Sequence, residues 1–172
     1  MQLPFGNLQL VNALPQRPGF TIRSPASGQV QPLEQSPIPA AAAGFYGAGI
    51  TFQLQGHQLF APFDGLWLQH DQCGQQLSLQ HPNGLRLQMR FPPECAKHHG
   101  QGFHWQMSSQ TQVKAGQLLL NFDGAMMQQW CKPLLLTITL PQQDKLSRIS
   151  CRPVYHQASI DTLFFIDVKN AA

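Results

Sequence analysis

The sequence has few charged residues, no long apolar run and no regular spacing of cysteine with histidine. Charged residues make up 11% of the 172 residues, against a usual share of about a quarter. Because the Lys and Arg residues are scattered singly, no nucleic-acid partner is expected. The longest apolar runs, residues 40–43 and 134–140, are too short to cross a bilayer. The Cys and His spacing predicts no metal site, and without a GxGxxG or P-loop motif we expect no cofactor.

The N-terminal stretch has neither the basic start nor the uninterrupted apolar core of a signal peptide. We therefore expect a cytoplasmic protein whose cysteines are reduced, namely Cys73, Cys95, Cys131 and Cys151. Residues 1–20 are interpreted as a flank and residues 21–172 as one domain. Within the flank, the spacing of Phe5, Leu8, Val11 and Leu14 predicts one short helix on a loosely docked or disordered arm. Stable membrane association is not expected, because the apolar side of this arm has no basic residues beside it.

The clearest strand lies in the middle of the chain. Along residues 85–91, apolar side chains alternate with Arg86, Gln88 and Arg90, which is the period of a half-buried strand. Pro92 and Pro93 then end it, because neither can donate to a sheet ladder. The alternation predicts that Leu87, Met89 and Phe91 face inward while Gln88 and Arg90 face outward, since a one-residue slip would bury both arginines.

Other segments also indicate strands and turns. Residues 77–79 alternate like a short strand, and residues 81–84 have the composition of a turn. Residues 134–140 form a continuous apolar run suited to a strand buried on both faces. Residues 163–168 predict the last strand, and residues 126–132 predict one short helix. With fourteen Gly and fourteen Pro and no long helical period, the pattern favours an all-β protein.

Five motifs, read together with the central strand, resemble a known family. They are Ser24-Pro-Ala-Ser-Gly28, Gly47-Ala-Gly-Ile-Thr-Phe52, Leu59-Phe-Ala-Pro-Phe-Asp-Gly65, Gly100-Gln-Gly-Phe103 and Val113–Asp123. The chain is similar from about Thr21 to Lys169 to the glucose-type IIA proteins of the bacterial sugar phosphotransferase system. This resemblance implies a single-domain antiparallel β-sandwich of the glucose-permease IIA, or duplicated hybrid motif, type.

The resemblance also implies a site from which the chemical groups have been lost. In the family one histidine accepts a phosphoryl group from the carrier HPr, and a second histidine supports it. Here the acceptor aligns with Arg90 and the supporting residue with Gln75. A guanidinium stays protonated and offers no lone pair, so it cannot serve as the acceptor. We therefore predict a pseudoenzyme without phosphoryl transfer.

Further positions around this site differ from the family pattern. Glu94 stands where the family has an Asp, and Cys73 and Cys95 stand where it has threonines. The two cysteines are either inert thiols or, if they approach each other, a redox pair. The apolar ring that family members use to dock partners reads Pro39, Ala40, Ala41, Phe45, Tyr46, Asp71, Leu77, Gln88 and Ala96. Phe45 and Tyr46 are the candidate aromatic anchors.

Four hypotheses remain open at this point. The chain is a non-catalytic module that binds phosphotransferase components or regulators of sugar transport and metabolism, or a phosphocarrier that uses another residue, for which His98, His99 and His104 are the candidates. It is otherwise an anion binder through Arg90, or a protein in which Arg90 merely pairs with Glu94. The candidate binding residues are Arg90, Gln75, Glu94, Cys73, Cys95, Phe45, Tyr46 and Leu77.

Overall fold

The computed structural model describes residues 8–141 and 147–167 and is built almost entirely of β-strands. The strands are β1 Leu8–Leu10, β2 Gly19–Arg23, β3 Gly28–Pro32, β4 Ala48–Leu54, β5 Gln58–Phe60, β6 Gly65–Gln69, β7 Leu77–Gln80, β8 Arg86–Arg90, β9 Phe103–Trp105, β10 Thr111–Val113, β11 Leu118–Phe122, β12 Leu135–Leu140, β13 Ile149–Cys151, β14 Tyr155–His156 and β15 Thr162–Asp167. The helices are single turns: α1 Pro39–Ala42, α2 Glu94–Lys97, α3 Gly124–Met127 and a 3-10 turn at Leu33–Gln35. The prediction of an all-β antiparallel sandwich is confirmed.

The strands form three sheets that share one core. The large sheet has the order β10-β6-β7-β8-β12-β4-β3-β14, and the smaller sheets have the orders β1-β13-β15-β2 and β5-β11-β9. Every pairing is antiparallel except that of β1 with β13. Buried apolar side chains from all three sheets belong to one contiguous cluster, so the sheets stabilise one another by removing a shared apolar surface from water.

The strand β12 is buried on both faces, as its apolar run predicted. Leu136, Ile138 and Leu140 are fully buried on the core side, and Thr137 and Thr139 are buried on the other side. β12 lies between β8 and β4 at the centre of the large sheet. On its outer face, the Ser36 hydroxyl from the chain between β3 and β4 lies 2.7 Å from the Thr137 hydroxyl.

Several turn predictions are also confirmed. Gly28 begins β3 and Gly65 begins β6, so the two Pro-x-Ser/Asp-Gly elements open corresponding strands. The elements exchange backbone hydrogen bonds with the opposite half: Phe60 N–H donates to the Pro25 carbonyl, and Arg23 N–H donates to the Pro62 carbonyl. The turn before β8 closes through Gly84 N–H, and Gly84 has a φ of 95°, which favours glycine.

Three boundaries differ from the prediction. The helix expected over Phe5–Leu14 is wrong within the described residues, because Leu8–Leu10 forms a strand in parallel register with β13. Part of the expected loose flank is therefore paired into a sheet, while residues 1–7 lie outside the described residues. The predicted helix over 126–132 is shorter and earlier, at Gly124–Met127. The last strand is Thr162–Asp167, and Val168 lies outside the described residues.

Candidate functional site

Arg90 lies at the end of β8 on the outer face of the large sheet. The predicted alternation is confirmed, since Leu87 and Met89 are fully buried on the opposite, core face. Arg90 faces outward from the core as predicted, but it is not solvated there, because only 9% of the residue is accessible. The Tyr46 ring covers it, with the guanidinium carbon 4.0 Å from the ring centroid. This distance is that of a cation–π contact.

Tyr46 belongs to the connection between β3 and β4, residues 33–47, which we call the cover loop. The Ser36 hydroxyl is 2.7 Å from that of Thr137 on β12, and the Thr51 hydroxyl donates to the Leu33 carbonyl at 3.4 Å. These bonds hold the first half of the loop on the outer face of the sheet. Gly44 and Gly47, with φ of 87° and 98°, then take conformations that other residues resist.

The two aromatic residues of the cover loop differ in exposure. Phe45 is 81% exposed, while Tyr46 is half-buried over Arg90. The expectation of two aromatic anchors therefore applies directly only to Phe45, because the face of Tyr46 is occupied by the guanidinium. Leu77 is fully buried in the core, so its proposed place on a docking surface is wrong.

The Arg90 guanidinium has no carboxylate partner among the residues that the structure describes. Ion pairs there join Arg17 to Asp167 and Lys114 to Asp64, and Arg90 Nη1 is buried without a hydrogen-bond partner. Burial lowers the pKa of Arg90, and the interaction with Tyr46 partly opposes this. The alternative in which Arg90 merely pairs with Glu94 is therefore wrong.

Gln75 occupies a structural position next to the end of β8. Its side-chain nitrogen donates to the carbonyl of Pro92 at 3.0 Å and lies 3.3 Å from that of Phe91. These bonds connect the segment just before β7 to the residues just after β8. The side-chain amide of Gln75, a candidate binding residue, therefore donates to the backbone and is not a free donor in this arrangement.

The acidic residues nearest to Arg90 in the sequence, Asp71 and Glu94, make contacts with other groups. The Asp71 carboxylate accepts backbone N–H groups from Cys73 at 2.8 Å, Gln75 at 3.0 Å and Gln76 at 2.9 Å, so it stabilises the turn before β7. Glu94 begins α2, and its Oε2 lies 4.0 Å from the Cys131 sulfur.

The cysteines near the site are free thiols in the described parts of the chain. Cys95 is buried and Cys73 is half-buried. Burial raises the pKa of the Cys95 thiol to about 12, and the neighbouring Cys131, Glu94 and Cys73 add to this effect. Because the thiolate is the reactive form, Cys95 is suited to packing rather than to redox chemistry.

We expect iodoacetamide at pH 8 to modify Cys73 well before Cys95. At this pH a thiol with a pKa of about 12 is almost entirely protonated, and Cys95 is also buried whereas Cys73 is half-buried. Peptide mass spectrometry after timed quenching measures the rates, and labelling in urea is the control in which all four thiols react. Equal rates at Cys73 and Cys95 in the folded protein would instead favour the redox pair.

The histidines downstream of Arg90 lie in a turn. His98 follows α2 and stacks on Trp130, with ring centroids 4.0 Å apart and planes 17° apart. His99 is exposed with a φ of 55°. The idea that one of them accepts a phosphoryl group stays a prediction. In the described residues no cluster of His, Cys, Asp and Glu has metal-binding geometry, and no helix is long and apolar enough to span a membrane.

Sequence reasoning missed the polar residues that surround Arg90. In the pairing of β8 with β12, Thr137 lies directly opposite Arg90 and Thr139 lies opposite Gln88. Both threonines are therefore on the same face of the large sheet as Arg90. The Thr139 hydroxyl is buried without a partner. The sequence contains a pattern that indicates them, because Thr137 and Thr139 are two residues apart within the apolar run 134–140. Residues two apart in a strand lie on the same face.

Comparisons with known proteins agree with this fold. The model of the family described as phosphoenolpyruvate-dependent sugar phosphotransferase system, EIIA 1, matches residues 20–146. A glucose-specific EIIA component of Bacillus cereus is 26% identical over 129 residues, which are 75% of this chain and 78% of that protein. A mannose-specific EIIBCA component of Corynebacterium glutamicum is 28% identical over 149 residues, 87% of this chain, and the chain spans only 22% of that protein. The glucose permease IIA from Mycoplasma capricolum superposes with a TM-score of 0.73 at 13% identity, covering 89% of this chain and 99% of that one.

Proposed function

Because the chain belongs to the EIIA 1 family of the phosphoenolpyruvate-dependent sugar phosphotransferase system, we propose that it is an EIIA-like protein that no longer accepts a phosphoryl group. It acts instead in the cytoplasm as a non-catalytic module that binds other proteins. Its partners are other components of the phosphotransferase system, or proteins of sugar transport and metabolism that such components regulate.

One observation carries this proposal: the position that the family resemblance assigns to the acceptor histidine holds Arg90 beneath Tyr46. A guanidinium supplies no nucleophilic lone pair, and its 9% exposure leaves little access for a donor protein. The supporting position holds Gln75, whose amide donates to backbone carbonyls. Both chemical requirements of phosphoryl acceptance, a nucleophile and a free supporting group, are thus unmet at these positions.

The same face retains a feature suited to protein docking. Phe45 projects from the cover loop with 81% of its surface exposed, held between the turns at Gly44 and Gly47. Exposed aromatic side chains on a fixed backbone are common energetic centres of interfaces. The loop is bonded to the sheet through Ser36 and Thr137, so little order has to be gained when a partner binds.

We expect Phe45→Asp to weaken partner binding by about tenfold or more, the usual effect of removing an interface anchor. Immobilised wild-type protein is exposed to extract of the source cell, retained proteins are identified by mass spectrometry, and affinity is then measured with the purified partner. Ile160→Asp is the matched control, because Ile160 is 68% exposed in the turn before β15.

The result that supports the proposal is retention of a phosphotransferase or sugar-metabolism protein by wild type and Ile160→Asp but not by Phe45→Asp. If the three proteins retain the same set with equal affinity, the cover loop is not the docking surface. Retention that appears only after incubation with phosphorylated HPr would favour the alternative of a working phosphocarrier.

A further inference from the structure

The four-stranded sheet β1-β13-β15-β2 has parallel strands at its two edges. β1 is parallel to β13, and both β13 and β2 are antiparallel to β15, so β1 and β2 run in the same direction. The chain joins them through residues 11–18, a connection of eight residues. Because parallel strands are usually joined by crossovers of a dozen or more residues, this connection is short for its task.

The register shows how far this connection has to run. It crosses three strand spacings, about 14 Å, from one edge of the sheet to the other. It also returns by three positions along the strands, about 10 Å, from the level of Leu10 to the level of Gly19. One face of the sheet packs on the core cluster, so the connection passes over the side chains of the other face. The fully extended chain from Leu10 to Gly19 would span about 30 Å, and the crossing therefore uses most of its reach.

The connection is bonded to the sheet at its two ends. Val11 N–H donates to the Cys151 carbonyl at 2.9 Å and so continues the pairing of β1. The Arg17 guanidinium donates two hydrogen bonds, of 2.8 and 2.7 Å, to the Asp167 carboxylate beside the start of β2. Between these ends, residues 12–16 take part in no backbone hydrogen bond within the described parts of the chain. We call residues 12–16 the hinge.

The strand β1 is short, but the strand it covers is fully buried. β1 pairs over three residues with Ile149–Cys151; its Leu8 is half-buried against the core, and Gln9 and Leu10 are exposed. All three residues of β13 are at most 2% exposed. Without a neighbour on this side, the backbone N–H and C=O groups of β13 would form an unpaired sheet edge. The edge therefore needs an occupant, and the sequence of β1 is one that fits it.

We propose that two copies of this chain exchange β1, so that Leu8–Leu10 of each copy pairs with Ile149–Cys151 of the other. The exchanged dimer keeps the pairing of β1 with β13, because the two chains are identical, and only the hinge changes its conformation. A short, tight connection favours such an exchange, since the hinge no longer has to return across its own sheet. The ion pair of Arg17 with Asp167 stays within each chain, because both residues lie on the β2 side of the hinge. This interface goes beyond the proposed docking function and does not depend on it.

The substitution Leu10→Cys tests which chain supplies β1. Leu10 lies directly opposite Cys151, and neighbouring strands are about 4.8 Å apart, which is within the Cα separation that a disulfide spans. The full-length variant is mixed with its nitrogen-15-labelled form, concentrated and oxidised with diamide. We expect part of the disulfide between positions 10 and 151 to join a labelled chain to an unlabelled one, in a band of twice the chain mass on a non-reducing gel.

The matched control is Leu10→Cys/Cys151→Ser, which removes one partner of this disulfide and keeps the remaining cysteines. It should lose the dimer band, because a band that persists comes from cross-links through those other cysteines. Peptide mass spectrometry identifies the linked positions and the isotope of each half. A disulfide between positions 10 and 151 that occurs only within single chains, at every protein concentration, would overturn the exchange.

The length of the hinge provides a second test without any cross-link. Size-exclusion chromatography with light scattering measures the dissociation constant of the dimer for the wild type and two hinge variants. Insertion of Gly-Ser-Gly-Ser after Leu14 gives the crossover more slack and should raise this constant by about tenfold or more. Deletion of Ala13 and Leu14 tightens the crossover and should lower the constant by a similar factor.

The opposite effects of insertion and deletion distinguish exchange from ordinary association of two surfaces, which does not depend on the length of this connection. Equal dissociation constants for the wild type and the insertion variant would contradict the inference, as would a monomeric wild type and a folded, monomeric deletion variant at every concentration. Circular dichroism establishes that the variants are folded. If the deletion variant does not fold, the comparison of the insertion variant with the wild type still decides the result.

Discussion

Incubated with phosphorylated HPr, the protein is expected to remain unlabelled, whereas a functional glucose-type EIIA component becomes labelled close to one phosphoryl group per chain. The reason is chemical: acceptance needs a ring nitrogen with a free lone pair, and Arg90 has none. Access is also restricted, because Tyr46 covers the guanidinium. The measurement is incorporation of acid-labile labelled phosphate, with the EIIA component of Bacillus cereus as the positive control in the same reaction.

The structure indicates which changes could restore labelling. Gln75→His with Arg90→His supplies both imidazoles, but Tyr46 would still lie over position 90. We therefore expect incorporation above background in Tyr46→Ala/Gln75→His/Arg90→His and much less in the double variant. Stoichiometric labelling of the wild type would contradict the loss of phosphoryl transfer, and mapping it to His98 or His99 would establish the alternative phosphocarrier.

Replacing Gly49 by Ala is expected to destabilise the fold by about 3 kcal/mol or more, at the upper end of the usual effect of overpacking. A Cβ at this position would collide with the Ile138 carbonyl oxygen on β12 and lie 2.8 Å from the Thr139 Cα. These are backbone atoms of a strand paired on both sides, by β8 and by β4. The strand cannot shift without breaking one of the two ladders.

Urea unfolding followed by tryptophan fluorescence measures this loss of stability. Gly56→Ala is the matched control, because the nearest atom to its added Cβ is the Ser27 Cβ at 3.4 Å, and we expect a change within about 0.5 kcal/mol. The prediction is contradicted if the free energy of unfolding of Gly49→Ala is within about 1 kcal/mol of the wild-type value. In that case the backbone of β12 shifts to accept the added Cβ, which a closely packed interior does not readily do.

The local pattern of the sequence predicted the strands well where one face is buried. Residues 85–91 were assigned to the correct faces, because a side chain in a strand points to one side or the other and apolar residues occupy the buried side. Residues 134–140 were correctly predicted as a strand buried on both faces. The N-terminal segment shows the opposite case. Leu8 and Val11 have helical spacing, yet Leu8–Leu10 pairs with Ile149–Cys151, and no short-range pattern reports a partner so distant along the chain.

For the site residues too, some properties could be predicted from the sequence and others could not. The chemical identity of position 90 was readable from the sequence, since a protonated guanidinium offers no free lone pair to act as a nucleophile. Its surroundings were not readable. Alternation says which face of the sheet Arg90 occupies but not what covers that face, and the cover comes from Tyr46 on a separate connection. Leu77 and Gln75 were likewise misplaced, because core packing holds Leu77 and the backbone carbonyls of Cys73, Phe91 and Pro92 hold the Gln75 amide.

The sequence by itself thus determined the β architecture, through period-two alternation and turn residues, and the presence of an arginine at position 90. Only the tertiary structure decided that Arg90 is buried, that Tyr46 lies on it and that the Thr139 hydroxyl is left unpartnered beside it. The physical reason is that hydrophobic patterning is a local property of one strand. Burial of a polar group depends on which other segments the complete fold brings over it.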